Sequence, residues 1–283
     1  MRVMSVISTK GGVGKTTTAA NLGGFIADAG LRVLLLDLDI QPTLSSYFTL
    51  TKRASGGIYE LLAFNEQVTT NLVSHTAIRG LDVVISNDPH GQLNTLLLHA
   101  PDGRLRLRNL LDIFRPHYDL LLIDTQGARN VLLEMAVIAS DLALSPVTPE
   151  ILAARELRRG TLQLLEELAP LSRLGIPSPQ LRLLMNRIHP VSSDARQIQQ
   201  ALREIFVDDN ATRILSTGIP AIEAYPRAAT RGLPAHRIEY QRPHGRVAPA
   251  ALDSQRELAG ELFPEWRERF AQVTGRTPKG IVP

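Results

Sequence analysis

The sequence predicts an α/β fold, a single domain whose mostly parallel, twisted sheet has helices on both faces. Short and nearly continuous apolar runs recur along the chain, as expected of strands that are buried on both faces. Segments of helix length separate these runs. The chain has 283 residues, of which 44% are hydrophobic and 21% charged, which suits one large globular domain.

The predicted elements follow one another in the alternating order that a parallel sheet requires. The expected strands are VMSVIS (3–8), RVLLLDLD (32–39), LDVVIS (81–86), YDLLLID (118–124), DLALSPV (141–147) and LRLLMN (181–186). The expected helices include 16–30, which Gly30 closes, 107–115 and 151–168. In such sheets ligands bind beyond the carboxyl ends of the strands. A glycine loop, Asp37 with Asp39, Asp124 and Asn186 all fall at those ends.

Composition excludes several classes of protein. The chain has no cysteine, so disulfides, thiolate metal sites, iron–sulfur clusters and cysteine nucleophiles are excluded. No run approaches the ~20 apolar residues that span a bilayer, and the first residues lack a signal-peptide layout. We expect a cytoplasmic protein that does not act on a membrane.

We expect one domain over residues 1–283. Its core would occupy 1–249 and include a basic loop at 226–249, which is rich in Pro, Gly and Arg and is expected to lack regular structure. A closing helix at 250–273 and a tail at 274–283 would complete the chain.

The glycine loop STKGGVGKTTTAANLGG (8–24) departs from the common phosphate-binding pattern G-x-x-x-x-G-K-[ST]. Gly14, Lys15 and Thr16 match its end, but Thr9 stands where the first glycine belongs, and Lys10 is an additional lysine. Glycines let backbone N–H groups converge on phosphate oxygens. Lys15 would then reach the β- and γ-phosphates and Thr16 would ligate Mg²⁺. The alternative is a glycine-rich turn between a strand and a helix.

KGGVGKTT (10–17) resembles the deviant Walker A loop of the ParA/MinD family of P-loop ATPases. The resemblance implies a P-loop NTPase domain, ATP and Mg²⁺ as cofactors, and a homodimer that forms on ATP binding. Lys10 would reach the phosphates held by the other subunit, much as an arginine finger does; otherwise it is a solvated loop charge. The implied nucleotide-binding residues here are Lys10, Gly11, Gly12, Val13, Gly14, Lys15, Thr16 and Thr17.

Two further segments resemble family motifs. DLDIQ (37–41) resembles the family's DxDxQ segment, which implies that Asp39 activates the attacking water near Mg²⁺ and that Asp37 supports the site. Both could instead cap a helix. LLLIDTQG (120–127) resembles the Walker B strand, with Asp124 holding magnesium through water. The catalytic residues implied are therefore Lys10, Lys15 and Asp39, and the metal site would comprise Thr16, Asp39 and Asp124.

The Walker B segment also departs from its relatives. Gln126-Gly127 replaces their two prolines, and the resulting Asp-x-x-Gly resembles the switch segment of GTPases, in which the glycine amide senses the γ-phosphate. LLMNRIHP (183–190) resembles the family segment whose asparagine reads adenine, and Asn186 offers both a donor and an acceptor. An ordinary turn asparagine is the alternative. GIPAIEAYPRAATRGLP (218–234) matches a family segment in position only.

The basic stretch from Arg227 to Arg246 favours DNA as a partner. It holds five arginines, two histidines and a single acidic residue, Glu239. Such a stripe supplies salt-dependent, sequence-independent phosphate contacts. We expect non-specific double-stranded DNA to contact Arg227, Arg231 and Arg237, the first two being the preferred contacts. A solvated arginine-rich loop is the alternative.

The resemblance therefore implies a ParA-type partitioning ATPase whose ATP-bound dimer coats DNA and associates with the nucleoid. A ParB-like centromere-binding protein would stimulate hydrolysis. No helix-turn-helix precedes the first strand, which favours the small Soj-like branch without operator binding. The alternative is a MinD-like positioning ATPase acting on a membrane or a protein cargo, or a small-substrate enzyme of the same fold. A membrane role would need the apolar stripe formed by Leu258, Leu262, Trp266, Phe270 and Val273, which fits better as a helix packed on the domain.

Overall fold

A nine-stranded sheet forms the centre of the computed structural model, which describes residues 1–88, 90–150, 155–189, 193–206, 209 and 211–274. The strand order is β3-β4-β5-β2-β6-β1-β7-β8-β9, and every pairing is parallel except β3 with β4 and β4 with β5. The strands are β1 (Arg2–Val6), β2 (Val33–Asp37), β3 (Leu50–Lys52), β4 (Val73–Thr76), β5 (Leu81–Val84), β6 (Leu120–Asp124), β7 (Leu142–Val147), β8 (Gln180–Ile188) and β9 (Thr212–Pro220). The predicted α/β class is confirmed.

Helices cover both faces of this sheet. The α-helices are α1 (Lys15–Asp28), α2 (Ile58–Ala63), α3 (Thr69–Leu72), α4 (Gln92–His99), α5 (Arg106–Leu110), α6 (Val131–Ala139), α7 (Gln163–Leu168), α8 (Ser193–Ile205), α9 (Ala224–Arg231), α10 (Ala235–Ile238), α11 (Ala251–Leu262) and α12 (Arg267–Ala271). Short 3₁₀ segments occupy Leu111–Ile113, Ala169–Leu174 and Pro264–Trp266, and Arg158–Leu162 forms a π-helical turn.

The central strands separate two layers of the core. On β2, Leu35 packs into the layer that contains Phe25 of α1, whereas Leu34 and Leu36 pack into the layer beneath α6. All three leucines are fully buried because helices cover both faces. This explains why β2 reads as a continuous apolar run instead of an alternating one.

Strand register brings the predicted polar residues to one edge of the sheet. Asp37 at the end of β2 lies opposite Asp124 at the end of β6. Asp124 in turn lies opposite Val6, where β1 ends and the chain enters the glycine loop. The loop and the two carboxylates are therefore neighbours at the carboxyl edge.

All six predicted strands are present, but the sequence did not reveal β3, β4 and β9. These strands are short or carry exposed polar residues, since β3 and β9 form the two edges of the sheet. Continuous apolar runs mark only strands that are buried on both faces. The helix predicted over 107–115 is α5 followed by a 3₁₀ turn, and the one predicted over 151–168 begins outside the described residues.

The expectation that 226–249 lacks regular structure was wrong for its first half. Helices α9 and α10 occupy much of 224–238, and only 239–249 is irregular. Pro226 lies in the first turn of α9, where a missing N–H costs little. Gly232 follows the helix in the left-handed conformation that closes many helices. The prolines and glycines mark helix ends and not a disordered loop.

The closing helix is broken. Helix α11 ends before Pro264, and a 3₁₀ turn and α12 complete the segment to Ala271. Leu258 and Phe270 are fully buried against α1, and Leu262 and Val273 are nearly so, which confirms that the apolar stripe packs on the domain. The tail from 275 lies outside the described residues. Among those that are described, no helix is long and apolar enough to cross a membrane.

A buried ionic cluster ties α1 to α10. The Asp28 carboxylate accepts hydrogen bonds from His236 Nε2 at 2.7 Å and from Arg237 Nε and Nη2 at 2.7 and 2.6 Å. The Arg237 side chain is only 6% exposed. Its guanidinium pairs with Asp28, so Arg237 is less available to DNA than the exposed Arg227 and Arg231.

The cluster makes stability dependent on pH. Burial alone would raise the pKa of Asp28, but hydrogen bonds from Arg237 and His236 outweigh it and lower that pKa. Burial also lowers the pKa of His236. Both groups have a lower pKa in the folded state, so the unfolded chain binds more protons as the pH falls. Their contribution is complete at neutral pH. It begins to fall below about pH 6.5, where His236 of the unfolded chain binds a proton that the folded chain does not, and it falls further where Asp28 of the unfolded chain protonates.

We predict that Asp28→Ala destabilises the fold by about 3–5 kcal/mol, because it leaves Arg237 buried without its counter-charge. Urea unfolding at pH 7 measures the effect. The matched control is Asp253→Ala, which breaks the exposed pair with Arg256 and should cost less than about 1 kcal/mol. Equal costs for the two variants would contradict the structural role of the cluster.

Candidate nucleotide-binding site

The glycine loop joins β1 to α1 and presents unpaired backbone donors. Within the described part of the chain, the N–H groups of residues 11 to 17 donate no hydrogen bond. Gly14 has a φ of 94°, a left-handed conformation that favours glycine, and precedes the first turn of α1. A row of free N–H groups ahead of a helix N-terminus is an anion-binding arrangement.

Lys15 supplies the positive charge at this loop. Its side chain is buried, with 7% of the residue exposed, and Nζ donates to the Lys10 carbonyl at 3.2 Å. Burial lowers the pKa of Lys15, and the charges of Asp124 and Asp39 act in the opposite direction. An anion at the loop would supply the counter-charge that a buried ammonium group needs.

Asp124 carries a buried oxygen without a partner. Its Oδ1 accepts from the Thr125 N–H at 3.1 Å, but Oδ2 has no hydrogen-bond partner among the described residues. Burial raises the pKa of Asp124 to about 8; the Thr16 side chain and the charge of Lys15 act against this rise, while Asp37 and Asp39 add to it. An unpaired buried carboxylate beside a threonine hydroxyl fits a divalent cation such as Mg²⁺, which prefers oxygen ligands.

The two aspartates after β2 have different tasks. Asp37 is fully buried, and its Oδ2 accepts from the Ser45 N–H at 2.7 Å and the Ser45 hydroxyl at 2.6 Å. Burial raises the pKa of Asp37 to about 6 despite these bonds. Asp39 is half-buried and lines the cavity in front of Lys15. Its Oδ1 accepts a hydrogen bond from the Gln41 N–H at 3.0 Å. Asp37 therefore organises the loop that holds Asp39 in place.

Gly127 brings the segment after β6 against the glycine loop. A Cβ at position 127 would lie 2.8 Å from Gly11 Cα and 3.1 Å from Lys15 Nζ. Any larger residue would have to displace the loop or the lysine. This close approach explains why glycine stands here.

Two neighbouring cavities open at this edge of the sheet. The first has a volume of about 410 Å³ and is lined by the loop from Gly11 to Thr17, by Asp39 and Gln41, and by residues 126–128. The second has about 440 Å³ and lies between the loop, β8 and α9, with Ile219, Ile222 and Tyr225 among its apolar walls. Gly14 and Thr17 border both cavities. A polar, anion-binding cavity beside a more apolar one suits a nucleoside polyphosphate.

Asn186 lines the second cavity and also holds the loop. Its Nδ2 donates to the Val13 carbonyl at 2.7 Å, and its Oδ1 accepts from the Arg187 N–H at 3.0 Å. A Cβ at Gly14 would overlap Nδ2 of Asn186. The amide therefore ties β8 to the glycine loop, a role that the sequence did not indicate.

The Lys10 side chain forms ion pairs with two glutamates of its own subunit. Its Nζ lies 3.3 Å from Glu150 Oε2 and 3.1 Å from Glu156 Oε2. Hydrogen bonding to Glu156 is the largest effect that raises the pKa of Lys10. Both glutamates are at least half exposed, so the pairs are weak and the lysine is free to exchange partners at small cost.

The expected DNA contacts differ in availability. Arg227 and Arg231 are exposed and lie one helical turn apart on α9. Within the described residues neither forms an ion pair, whereas Arg237 pairs with Asp28 and Arg246 with Glu239. Helix α9 also lines the second cavity through Tyr225, Pro226 and Ala229.

Several residues of the site were missed by sequence reasoning. Ser45, eight positions after Asp37, holds the Asp37 carboxylate, and Gln255 reaches the second cavity from α11. Asn130 caps α6 and contacts Gln126. None belongs to a recognisable motif, because each acts through distances that only the folded chain defines.

Comparison with known proteins places this site in a family. A family model described as an AAA domain matches residues 1–173. The sporulation initiation inhibitor protein Soj of Bacillus subtilis is 28% identical over 264 residues, covering 91% of this chain and 98% of Soj. The chromosome partitioning protein ParA of Myxococcus xanthus is 30% identical over 209 residues, covering 72% and 71% of the two chains.

A solved structure shows the same fold. The ATP complex of a McdA variant from Cyanothece superimposes with a TM-score of 0.75 at 22% identity and covers 96% of both chains. The family model and the relatives extend over the glycine loop, the two strand-end carboxylates and the sheet around them. This chain belongs to the ParA/MinD family of P-loop ATPases.

Proposed function

We propose that this protein is a Mg²⁺-dependent, ParA-type DNA-partitioning ATPase, in which ATP binding forms a dimer and the dimer binds DNA without sequence preference. The single observation that carries this proposal is the row of loop N–H groups beside the buried Lys15, which donate no hydrogen bond within the described residues. The names of the relatives, a chromosome partitioning protein among them, agree with it.

The two cavities give a place to each part of ATP. The triphosphate would lie in the cavity of about 410 Å³, on the loop N–H groups and Lys15. The adenosine would lie in the neighbouring cavity, between Asn186 and Tyr225. Because Gly14 and Thr17 border both, the nucleotide would pass between the cavities at this point.

Thr16, Asp124 and Asp39 would hold the magnesium ion that accompanies the nucleotide. When bound, the ion supplies positive charge that offsets the charge of the phosphate oxygens. Thr16 would contribute its hydroxyl, and Asp124 would act through water with its unpartnered oxygen. The fit depends on the deprotonated Asp124 carboxylate.

Hydrolysis would rest on Asp39 and on two lysines. Asp39 lies at the wall of the phosphate cavity and would orient the attacking water. Lys15 would stabilise the charge on the phosphates of its own subunit. Lys10 would leave Glu150 and Glu156 and reach the phosphates of the partner, which makes each site complete only in the dimer.

Helix α9 would connect the nucleotide to DNA. Tyr225, Pro226 and Ala229 face the adenosine cavity, while Arg227 and Arg231 face outward. Filling the cavity and forming the dimer would fix this helix and double the number of arginines on one assembly. A ParB-like partner bound to a centromere would stimulate hydrolysis and so release the DNA.

The MinD-like alternative receives less support. The stripe that would have to dock on a membrane is packed against α1, with Leu258 and Phe270 fully buried. Membrane binding would therefore require the end of the chain to detach from its own core.

The placement of Lys10 in the partner's site is testable by mixing two inactive variants. Lys15→Ala removes the lysine of a subunit's own loop, and Lys10→Ala removes the lysine given to the partner. Each alone should lower ATP turnover by about 10³-fold or more. A mixture should regain part of the activity, because one site of each heterodimer holds both lysines. If heterodimers form and the mixture still stays as inactive as its parts, Lys10 does not act across the dimer.

DNA binding is predicted to require ATP and the two exposed arginines. Arg227→Glu/Arg231→Glu should abolish ATP-dependent binding to arbitrary duplex DNA, while ATP binding persists. In milder Ala variants, the log–log salt dependence should flatten by about 0.9 for each DNA phosphate that the protein no longer neutralises. Fluorescence anisotropy with ATP, ADP and no nucleotide measures both effects.

The control is Arg79→Glu/Arg115→Glu, which alters the net charge by the same amount as the first double variant. These two exposed arginines precede β5 and β6, at the amino ends of the strands and away from the site. If both double variants lose DNA binding equally, the loss depends on net charge and not on the position of Arg227 and Arg231. Binding to anionic vesicles in place of DNA would contradict the partitioning proposal and favour the MinD-like one.

A further inference from the structure

The orientation of the Asn130 side chain is fixed by helix α6. Asn130 is the N-cap of this helix, and its Oδ1 accepts a hydrogen bond from the Leu133 N–H at 2.8 Å. Only an oxygen can satisfy the free N–H groups at a helix start. The amide nitrogen of Asn130 must therefore point the other way, out of the helix.

That nitrogen in turn fixes Gln126. Asn130 Nδ2 donates to Gln126 Oε1 at 3.0 Å, and since Nδ2 is a donor, the atom it meets must be the oxygen of the glutamine amide. The Nε2 group of Gln126 donates to no other described residue. The side chain is half-buried and lines the phosphate cavity together with Gly127 and Asp39.

The segment that carries Gln126 is held close to the phosphates. A Cβ at Gly127 would lie 2.8 Å from Gly11 Cα and 3.1 Å from Lys15 Nζ, and Gln126 lines the same cavity as Lys15. The Gly127 N–H, like those of the glycine loop, has no acceptor within the described chain. Two N–H donors of this segment are thus available at the cavity wall.

We propose that Gln126 is a catalytic residue that donates through Nε2 to the terminal phosphoryl group, and that Asn130 is the positioning residue that keeps this donor turned toward it. The inference rests on the proposed function, because it requires a triphosphate in the cavity. The oxygens of the transferred phosphoryl group carry the negative charge during hydrolysis, and a pre-oriented donor there stabilises the transition state. With Gln126 the chain supplies a side-chain donor at the wall of the phosphate cavity.

The first test removes the donor. Gln126→Ala should weaken binding of the magnesium complex of AMPPNP by about tenfold to hundredfold, the effect of losing a hydrogen bond to a charged group. ADP affinity should stay within about twofold, since ADP lacks the terminal group. Calorimetry with both nucleotides measures the ratio of AMPPNP affinity to ADP affinity. The rate of single-turnover ATP hydrolysis should fall in parallel. The control is Gln163→Ala, an exposed glutamine that donates to Glu167 away from the cavity.

The second test turns the Gln126 amide, so that an acceptor faces the phosphates in place of a donor. Asn130→Asp keeps a good helix cap, but its carboxylate only accepts hydrogen bonds, so Gln126 would turn its NH₂ group to position 130 and present its oxygen to the phosphates. We expect the ratio of AMPPNP to ADP affinity to fall at least as far as in Gln126→Ala. Thermal unfolding should show that α6 remains folded.

A double variant separates orientation from charge. In Gln126→Ala there is no amide left to turn, so adding Asn130→Asp should change the nucleotide ratio little. If Asn130→Asp has its full effect in the Gln126→Ala background, the added charge alone is responsible and the proposed orientation is overturned. If Gln126→Ala preserves both the ratio and the hydrolysis rate, Gln126 is not a phosphate donor. Failure of the unmodified protein to prefer AMPPNP over ADP would instead count against the proposed function itself.

Discussion

The crowding of buried charge at one edge of the sheet is the constraint on which the rest of the site depends. Register places Asp37 directly opposite Asp124, both fully buried, and Lys15 is almost as deeply buried beside them. Loss of hydration on burial is the main cause that raises the pKa of Asp37 to about 6 and that of Asp124 to about 8. The charge of Asp39 adds to both shifts, and that of Asp37 adds to the shift of Asp124. Such a group of charges is stable only when further partners balance it.

These buried groups differ in how many hydrogen-bond partners the described residues give them, and this difference separates structural from functional residues. Asp37 has its own partners in Ser45 and in the backbone of the loop to Asp39, so it needs nothing from a ligand. Among the residues that the structure describes, Asp124 Oδ2 has no hydrogen-bond partner and the N–H groups of the glycine loop have no acceptor. In our proposal these are the groups that magnesium and the triphosphate complete. In the same proposal, Lys10 would complete the site of a second subunit. It now pairs with exposed glutamates, and exchanging such pairs for another partner costs little free energy.

Much of this could be predicted from the sequence, because strands buried on both faces and phosphate loops leave strong local patterns. The central strands and the positions of Lys15, Asp39 and Asp124 follow from apolar runs that end in polar residues. Edge strands such as β9 have no such pattern, and Pro226 and Gly232 resembled loop residues although they bound a helix. The burial of Arg237 could not be foreseen, since its partner Asp28 is more than two hundred residues away along the chain. The role of Asn130 depends in the same way on folded geometry.

The most direct test of this account is the proton balance of Mg²⁺·ATP binding, measured by calorimetry at pH 7 in buffers of different ionisation enthalpy. A carboxyl group whose pKa is about 8 is mostly protonated at that pH, and it must lose its proton to accept the cation. We predict that the intact protein releases about one proton more per site than Asp124→Asn, and that this difference vanishes near pH 9. Equal proton release by the two proteins at pH 7 would contradict the claim that Asp124 is the buried group completed by the metal.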